Sequence, residues 1–248
     1  MLVEFVCCGW NCEQWFDKCI DSVLMQNDAN WKMHVVIDAS PDNTYEKTLE
    51  YIKNLSEEIQ QKFNIINRDE RMSALYNIDD IVSNYCQEDS IVAILDFDDW
   101  LAHQNVVSLL KEYYTNSDVW IAWSRFIDYP SGNTGFSRPM REGSNLRDRN
   151  NWFCGPLRTF RKKLYDKINK DDLLNEDGEM YRAAYDVAIL LPMLEMAGSK
   201  HRKFMNNVMY IYNKDTGFNG GTMHYDFCIQ TQNILFNKTP YTQIESLS

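Results

Sequence analysis

Over its first half the chain switches repeatedly between short apolar runs and longer stretches of helical spacing. This alternation constrains the fold more than any other feature. Residues 2 to 8 form an apolar run. Asn11 then stands where it can cap a helix with apolar positions Trp15, Phe16, Cys19, Ile20, Val23 and Leu24, a spacing that keeps one face toward a core. Residues 33 to 38 predict a second strand ending at Asp38, and Ser40 before Pro41 predicts the start of a second helix. A third strand is expected over 62 to 67. Met72, Leu75, Ile78, Ile81, Val82 and Tyr85 mark the next helix, and Ser90 to Leu95 a buried strand. Val106, Val107, Leu109, Leu110 and Tyr113 mark a further helix, followed by a strand from Val119 to Trp123. The pattern predicts an α/β fold: a mostly parallel central sheet with helices on both faces. In such sheets ligands sit beyond the carboxyl ends of the strands, where both Asp38 and the acidic run Asp96-Phe97-Asp98-Asp99 fall.

After residue 124 the rhythm changes. Residues 125 to 152 read as a long loop. A helix is expected at about 157 to 168 and another at about 181 to 196 ending at Gly198. A strand is expected at about 205 to 212, and a helix near 222. No composition break divides the 248 residues, so one domain is expected.

Composition narrows the partners. No stretch approaches the roughly 20 apolar residues a membrane helix needs, and the apolar start holds Glu4 and no basic segment, which reads as a first strand. Seven scattered cysteines form no zinc spacing and no CxxC pair, as expected of reduced thiols in a cytoplasmic setting. The net charge of −11 argues against nucleic acid as the default partner. Yet Arg138, Arg141, Arg147, Arg149, Arg158, Arg161, Lys162 and Lys163 stand against only Glu142 and Asp148, a local charge of +6 within a remainder of −17. This stretch reads either as a solvated basic loop or as an anion-binding surface. Nothing in the sequence indicates an oligomeric state.

Three carboxylates within four residues repel one another unless something compensates them. A hard divalent cation does so, and carboxylate oxygens suit Mg²⁺ or Mn²⁺, which keep open positions for phosphate oxygens. Acids at a helix N-terminus are the structural alternative. A phosphatase using an Asp-x-Asp nucleophile is the chemical one. Such enzymes place the motif on the first strand and follow it with threonine, a position Trp100 holds here.

The run Ser90-Ile-Val-Ala-Ile-Leu-Asp-Phe-Asp-Asp-Trp-Leu101 resembles the Leu-Asp-x-Asp-Asp-Trp-Leu segment of glycosyltransferase family 2 and its GT-A relatives. Further blocks agree in order. Asn11-Cys-Glu-Gln-Trp-Phe through Gln26 is similar to the opening loop and first helix, Val36-Ile-Asp-Ala-Ser-Pro-Asp-Asn-Thr44 to the base-holding block, and Arg71-Met-Ser-Ala-Leu-Tyr-Asn77 to the block before the metal strand. Asp118-Val-Trp, Tyr129-Pro-Ser-Gly, Leu157-Arg-Thr-Phe160, Pro192 to Gly198 and Tyr210-Ile-Tyr-Asn213 resemble a subgroup common in large DNA viruses, phages and some bacteria.

The resemblance implies a single GT-A (Rossmann-like) domain over 1–248. Residues 1–124 would form the nucleotide-sugar half, and 125–248 the acceptor half with a C-terminal helical region. It implies a metal-dependent, inverting transfer from a nucleotide-sugar donor, a UDP-sugar, to an acceptor hydroxyl. Asn11, Asp38, Arg71, Asn77, Asp96, Phe97 and Asp99 would contact the donor. Asp96 and Asp98, with His224 as a third ligand, would hold Mn²⁺ or Mg²⁺. Asp186 would be the catalytic base, and Trp152 and Arg158 would meet the acceptor or a phosphate. The sequence departs from the family pattern at Ile37 and Ala39, which replace an acid and a glycine of the base-holding block, and at Gly155-Pro156, where Ser-His often stands. The acceptor stays open between a glycan, a protein hydroxyl and a hydroxymethylated base in viral or phage DNA. A catalytically degenerate sugar- or nucleotide-binding module is the non-enzymatic alternative.

Overall fold

The computed structural model describes residues 1–116, 118–217 and 225–247. Among them, strands β1 (Val3–Gly9), β2 (Trp31–Ile37), β3 (Phe63–Asn67) and β4 (Ile91–Ile94) form a parallel group ordered β3-β2-β1-β4. They alternate with helices α1 (Phe16–Leu24), α2 (Thr44–Lys53), α3 (Glu57–Gln60) and α4 (Ala74–Asn84), as the periodicity predicts.

The rest of the sheet is mixed. It comprises β5 (Trp100–Leu101), β6 (Ile121–Tyr129), β7 (Arg158–Arg161) and β8 (Arg202–Asn213), and the full order is β3-β2-β1-β4-β7-β6-β8-β5. β7 runs antiparallel to both β4 and β6, β5 is antiparallel to β8, and β6 and β8 are parallel. Four of the seven strand pairings are parallel, as expected, and the three antiparallel ones all involve β7 or β5. Helices α5 (Val106–Asn116), α6 (Lys162–Tyr165), α7 (Tyr185–His201) and α8 (Tyr225–Asn237) complete the element list. No helix among the described residues is long and apolar enough to cross a membrane.

Strand alternation divides the core between the two sheet faces. Val3, Phe5 and Cys7 of β1 point to the face covered by α1 and α5, where Cys19, Ile20, Val23, Val107 and Leu110 are fully buried. Val6, with Val36 and Val92 of neighbouring strands, faces α4 and α7. Helix α7 is apolar on every side: Val187, Ile189, Leu190, Leu191, Met193 and Leu194 are at most 1% exposed. Burial of each contributes about 1.5–3 kcal/mol, so α7 anchors the second half.

Local expectations fail where a partner elsewhere in the chain outweighs local spacing. Residues 158–161 form a strand and not a helix start, because the edge of β4 pairs with them in register, Ile94 opposite Arg158 and Ile91 opposite Arg161. The first helix begins at Phe16, five residues past the expected cap. Asn11 instead takes a left-handed backbone (φ 58°) and donates its N–H to Ser40 Oγ. Ser40 in turn donates to Asp42 Oδ1, and Asp42 accepts from the Thr44 N–H, so α2 opens at Thr44 and not at Pro41.

Candidate functional site

The carboxyl ends of β1, β2 and β4 open onto a cleft of about 780 Å³. Its walls include Asp38, Arg71, Asp96, Asp98, Asp99, Arg158 and Asp186, seven of the residues singled out in the sequence. Gly9 ends β1 and leaves room for the acidic loop. A Cβ on it would lie 2.7 Å from Phe97 Cδ1, so only glycine lets the loop cross so closely.

The three acids have different surroundings. Asp99 is 1% exposed and fully engaged: Oδ2 accepts from the Tyr210 hydroxyl at 2.6 Å, and Oδ1 from the Asn213 N–H at 2.6 Å. It fastens the acidic loop to the end of β8, which Asn213 Nδ2 reinforces by donating to the Asp98 carbonyl at 3.0 Å. Asp96 accepts from the Tyr185 hydroxyl at 3.1 Å. Asp98 has no basic partner among the described residues. Burial first, and then the charge of Asp96, push its carboxyl up to about 7. Burial also raises Asp96, although Arg158 and Tyr185 oppose it, and it raises Asp99 further, reinforced by Asp98 and Asp96.

These are desolvated acids, and burial together with repulsion from neighbouring carboxylates disfavours the charged form of each. Asp96 and Asp98 fit a hard divalent cation that takes few protein ligands and leaves positions for phosphate oxygens. Asp99 cannot readily join them, since both its oxygens are already in use.

A hydrogen-bonded chain links this pair to Asp186, in the first turn of α7. Arg158, on β7, donates through Nη2 to Asp186 Oδ2 at 3.2 Å and through Nη1 to the Tyr185 hydroxyl at 3.2 Å, and Tyr185 passes on to Asp96. Burial would lower the Arg158 pKa, but Tyr185, Asp186 and Asp96 raise it, so the guanidinium stays charged. Burial and Asp96 raise the Tyr185 pKa, so it stays a neutral phenol and a donor.

Asp38 occupies the end of β2 and accepts two backbone N–H groups, from Met72 at 2.8 Å and Ser73 at 3.1 Å. Three residues with left-handed backbone, Ala39 (φ 51°), Ser73 (φ 91°) and Ala184 (φ 53°), either line the cleft or adjoin a wall residue. Strained backbone of this kind concentrates at functional sites. Arg71 lies over the Trp10 ring, 4.0 Å from its centroid, at the cleft wall.

Four expected contacts lie elsewhere. The Phe97 side chain is fully buried, packed on Gly9 and tilted against Phe16, and it does not line the cleft. Asn77 is fully buried in α4 and accepts from Arg68 Nε at 3.0 Å. Asn11 serves the Ser40 turn and is not a wall residue. Trp152 packs edge-on against Phe236 of α8, where it fills core and offers no platform to the cleft. His224 lies outside the described residues.

The basic stretch is not one surface. Arg147 pairs with Glu195 and donates to the carbonyls of Leu235 and Lys238. Arg161 donates to Val119 and Tyr114 carbonyls, Lys162 pairs with Asp166, and Lys163 with Asp89. Only Arg149 and Arg158 of the eight reach the cleft wall.

Tyr185, Tyr210 and Asn213 are the residues whose roles the sequence left unassigned. Tyr210 and Asn213 stand in a recognised block, yet only the return of β8 beside the acidic loop reveals them as its fastening.

This arrangement, parallel strands ending in an acidic loop with antiparallel strands beside them, is that of the GT-A fold. S. aureus TarS has it: TM-score 0.66 at 13% identity, over 92% of this chain and 38% of that one. S. aureus TarS 1–349 in complex with UDP-GlcNAc matches at 0.65 and 12% identity, over 95% and 66% of the two chains. The mannosyltransferase PcManGT from Pyrobaculum calidifontis, in complex with GDP-Man and Mn²⁺, matches at 0.64 and 14% identity, over 94% and 62%. The chain thus spans well under half of TarS and about two thirds of its truncated form. No curated protein sequence matches significantly. The family model described as glycosyl transferase family 2 matches residues 5–173, more than half of the chain, and the chain belongs to that family. The structures named here come from a bacterium and an archaeon and lend no support to the viral subgroup.

Proposed function

We propose that the chain transfers a sugar from a nucleotide-sugar to an acceptor hydroxyl, with inversion, using Mn²⁺ or Mg²⁺. The observation that carries this is the meeting of Asp38, Asp96, Asp98 and Asp186 in one cleft at the strand ends. Asp96 and Asp98 would hold the cation, which when bound supplies Lewis-acid stabilisation of the departing diphosphate. Asp38 and Arg71 border the region for base and diphosphate. Complexes of the matched proteins contain UDP-GlcNAc or GDP-Man, and a UDP-sugar is the donor favoured here.

Asp186 is the base of this reaction. Its Oδ2 accepts from Arg158, which orients the carboxylate. The acceptor oxygen bonds to the anomeric carbon, its proton passes to Asp186, and the bond to the diphosphate oxygen breaks. Tyr185 fixes Asp96 relative to Arg158, so the donor-side and acceptor-side carboxylates keep one geometry. Tyr225 and Phe227 line the same cleft and are 61% and 49% exposed. Such aromatic faces suit a sugar ring, which favours a glycan hydroxyl as acceptor over a protein or a modified DNA base. The dispersal of the basic stretch among intramolecular partners points the same way.

A panel of sugar nucleotides with Mn²⁺, scored by nucleotide release, tests the reading. Release with one donor, abolished by Asp98→Ala and by Asp186→Asn, is the expected result. Turnover that survives Asp98→Ala sinks it, and binding without turnover in the wild type supports the degenerate module instead.

A further inference from the structure

Away from the cleft, toward the amino end of β1 and at the middle of β2, lies a second group of metal-ligating side chains. Glu4, His34 and Cys86 come from β1, from β2 and from the loop after α4. Their ligand atoms all lie within 4.8 Å of one another. Glu4 and Gly9 are five residues apart on one strand, so this group stands roughly 15 Å from the cleft at about 3.3 Å per residue. We propose that Glu4 Oε1, His34 Nε2 and Cys86 Sγ form a three-ligand site for a borderline transition-metal ion of the Zn²⁺ class, distinct from the Mn²⁺ or Mg²⁺ site.

The donor set selects that class. One carboxylate, one imidazole and one thiolate suit Zn²⁺ and not Mg²⁺ or Mn²⁺, which prefer oxygen alone. The geometry is close to what is needed. Glu4 Oε1 and His34 Nε2 are 3.2 Å apart, and two ligands of a tetrahedral zinc at about 2.0 Å each stand roughly 3.3 Å from one another. The sulfur lies within 4.8 Å of both other ligand atoms, and Cys86 is half-buried beyond the helix end, beside the exposed Tyr85. Water would complete the tetrahedron from that open side.

The surrounding groups also fit. Glu4 is fully buried, and its second oxygen accepts the Gln87 N–H at 2.7 Å, which fixes the carboxylate. The Asn64 side-chain amide lies 3.4 Å from His34 Nδ1. A metal-bound Nε2 requires Nδ1–H to donate, and turning the Asn64 amide over presents its carbonyl oxygen for that bond. Loading would exchange the Glu4–His34 hydrogen bond for two metal bonds and release the Cys86 thiol proton to solvent. Glutamate and thiolate then balance the dication.

The test uses chelator-stripped protein and Co²⁺ as a spectroscopic stand-in for Zn²⁺. One equivalent is expected to give a near-ultraviolet thiolate-to-cobalt band and tetrahedral visible bands, bleached by Zn²⁺. The bands should vanish in Cys86→Ala and in His34→Gln and persist in Asp98→Ala. Zn²⁺ should raise the Tm of the wild type and of Asp98→Ala but not of Cys86→Ala, by the linkage of binding to folding. Because Cys86 is half-buried, Cys86→Ala and Cys86→Ser are expected to melt cooperatively without metal, which separates loss of binding from loss of fold. Absence of the thiolate band in the wild type, its survival in Cys86→Ala, or its loss in Asp98→Ala each overturns the proposal.

Discussion

The two halves of the sheet meet at one cleft, yet they contribute different groups to it. The β3-β2-β1-β4 half is parallel, its strands bury alternating residues on both faces, and it delivers Asp38, Asp96 and Asp98 on strand-end loops. The β7-β6-β8-β5 half is mixed and delivers Arg158, Tyr210 and Asn213, joined by Tyr185 and Asp186 from α7. The first half supplies charge that is costly when buried. The second supplies the partners that make it tolerable. The site is thus a property of the junction and not of either half.

Breaking the first half's contribution should have the largest effect. Asp98→Asn is expected to lower kcat/KM by about 10³-fold, the scale seen when one preorganised electrostatic group is lost. Its fold should survive, since it replaces an acid already inclined to hold a proton. Steady-state kinetics with Mn²⁺ and a thermal melt check both parts.

Breaking the second half should cost stability instead. Arg147 and Glu195 are 11% and 7% exposed and bind each other at two points, 2.5 and 2.7 Å. Arg147→Ala leaves Glu195 buried and frees the carbonyls of Leu235 and Lys238, so a loss of about 3 kcal/mol is expected. Urea denaturation measures it. Activity at temperatures below the melt should remain, because Arg147 does not reach the cleft.

A pH series sharpens the comparison further. The folded state raises the Asp98 pKa to about 7, so it holds this proton more tightly than the unfolded chain does. The resulting stability is fully present below the unfolded carboxylate value and is lost as pH rises through about 7. The Tm of metal-free wild type, relative to Asp98→Asn, should therefore fall over that interval, and saturating Mn²⁺ should restore it. A flat difference across the interval would contradict the buried-acid description.

The smallest effect is expected at Ala39. Its φ of 51° is a conformation that costs a non-glycine residue about 1 kcal/mol. Ala39→Gly should gain a few tenths of a kcal/mol, as relief of strain is partly offset by the greater freedom of glycine when unfolded. A rise of a degree or two in Tm would register it.

The first half was largely legible in the sequence, because its strands and helices each obey their own local period, and Asp38, Asp96 and Asp98 end apolar runs. What sequence could not supply were contacts set by distant pairing. Residues 158–161 have no strand-like alternation (Arg-Thr-Phe-Arg), and they extend because β4 offers an open edge. Phe97 sits between two cleft acids in sequence but points into the core, since Gly9 leaves the space beneath it. Asn77 fell inside a recognised block, yet its side-chain oxygen accepts from Arg68 and it does not line the cleft. Asp99 resembled its neighbours in chemistry, and only the arrival of Tyr210 and Asn213 from more than 100 residues away distinguishes it.

The place of β7 between β4 and β6 has a consequence for synthesis. A nascent chain that has emerged only as far as residue 124 can assemble β3-β2-β1-β4, but the outer edge of β4, whose four residues are all buried in the finished fold, has nothing to pair with. An open apolar edge is a template for association with other chains. That exposure ends when residues 158–161 leave the ribosome, so the long segment from 130 to 157 sets how long the nascent protein remains vulnerable. Pausing there should favour aggregation through β4, whereas pausing after residue 161 moves the open edge to β6, which stays unpaired until β8 is made.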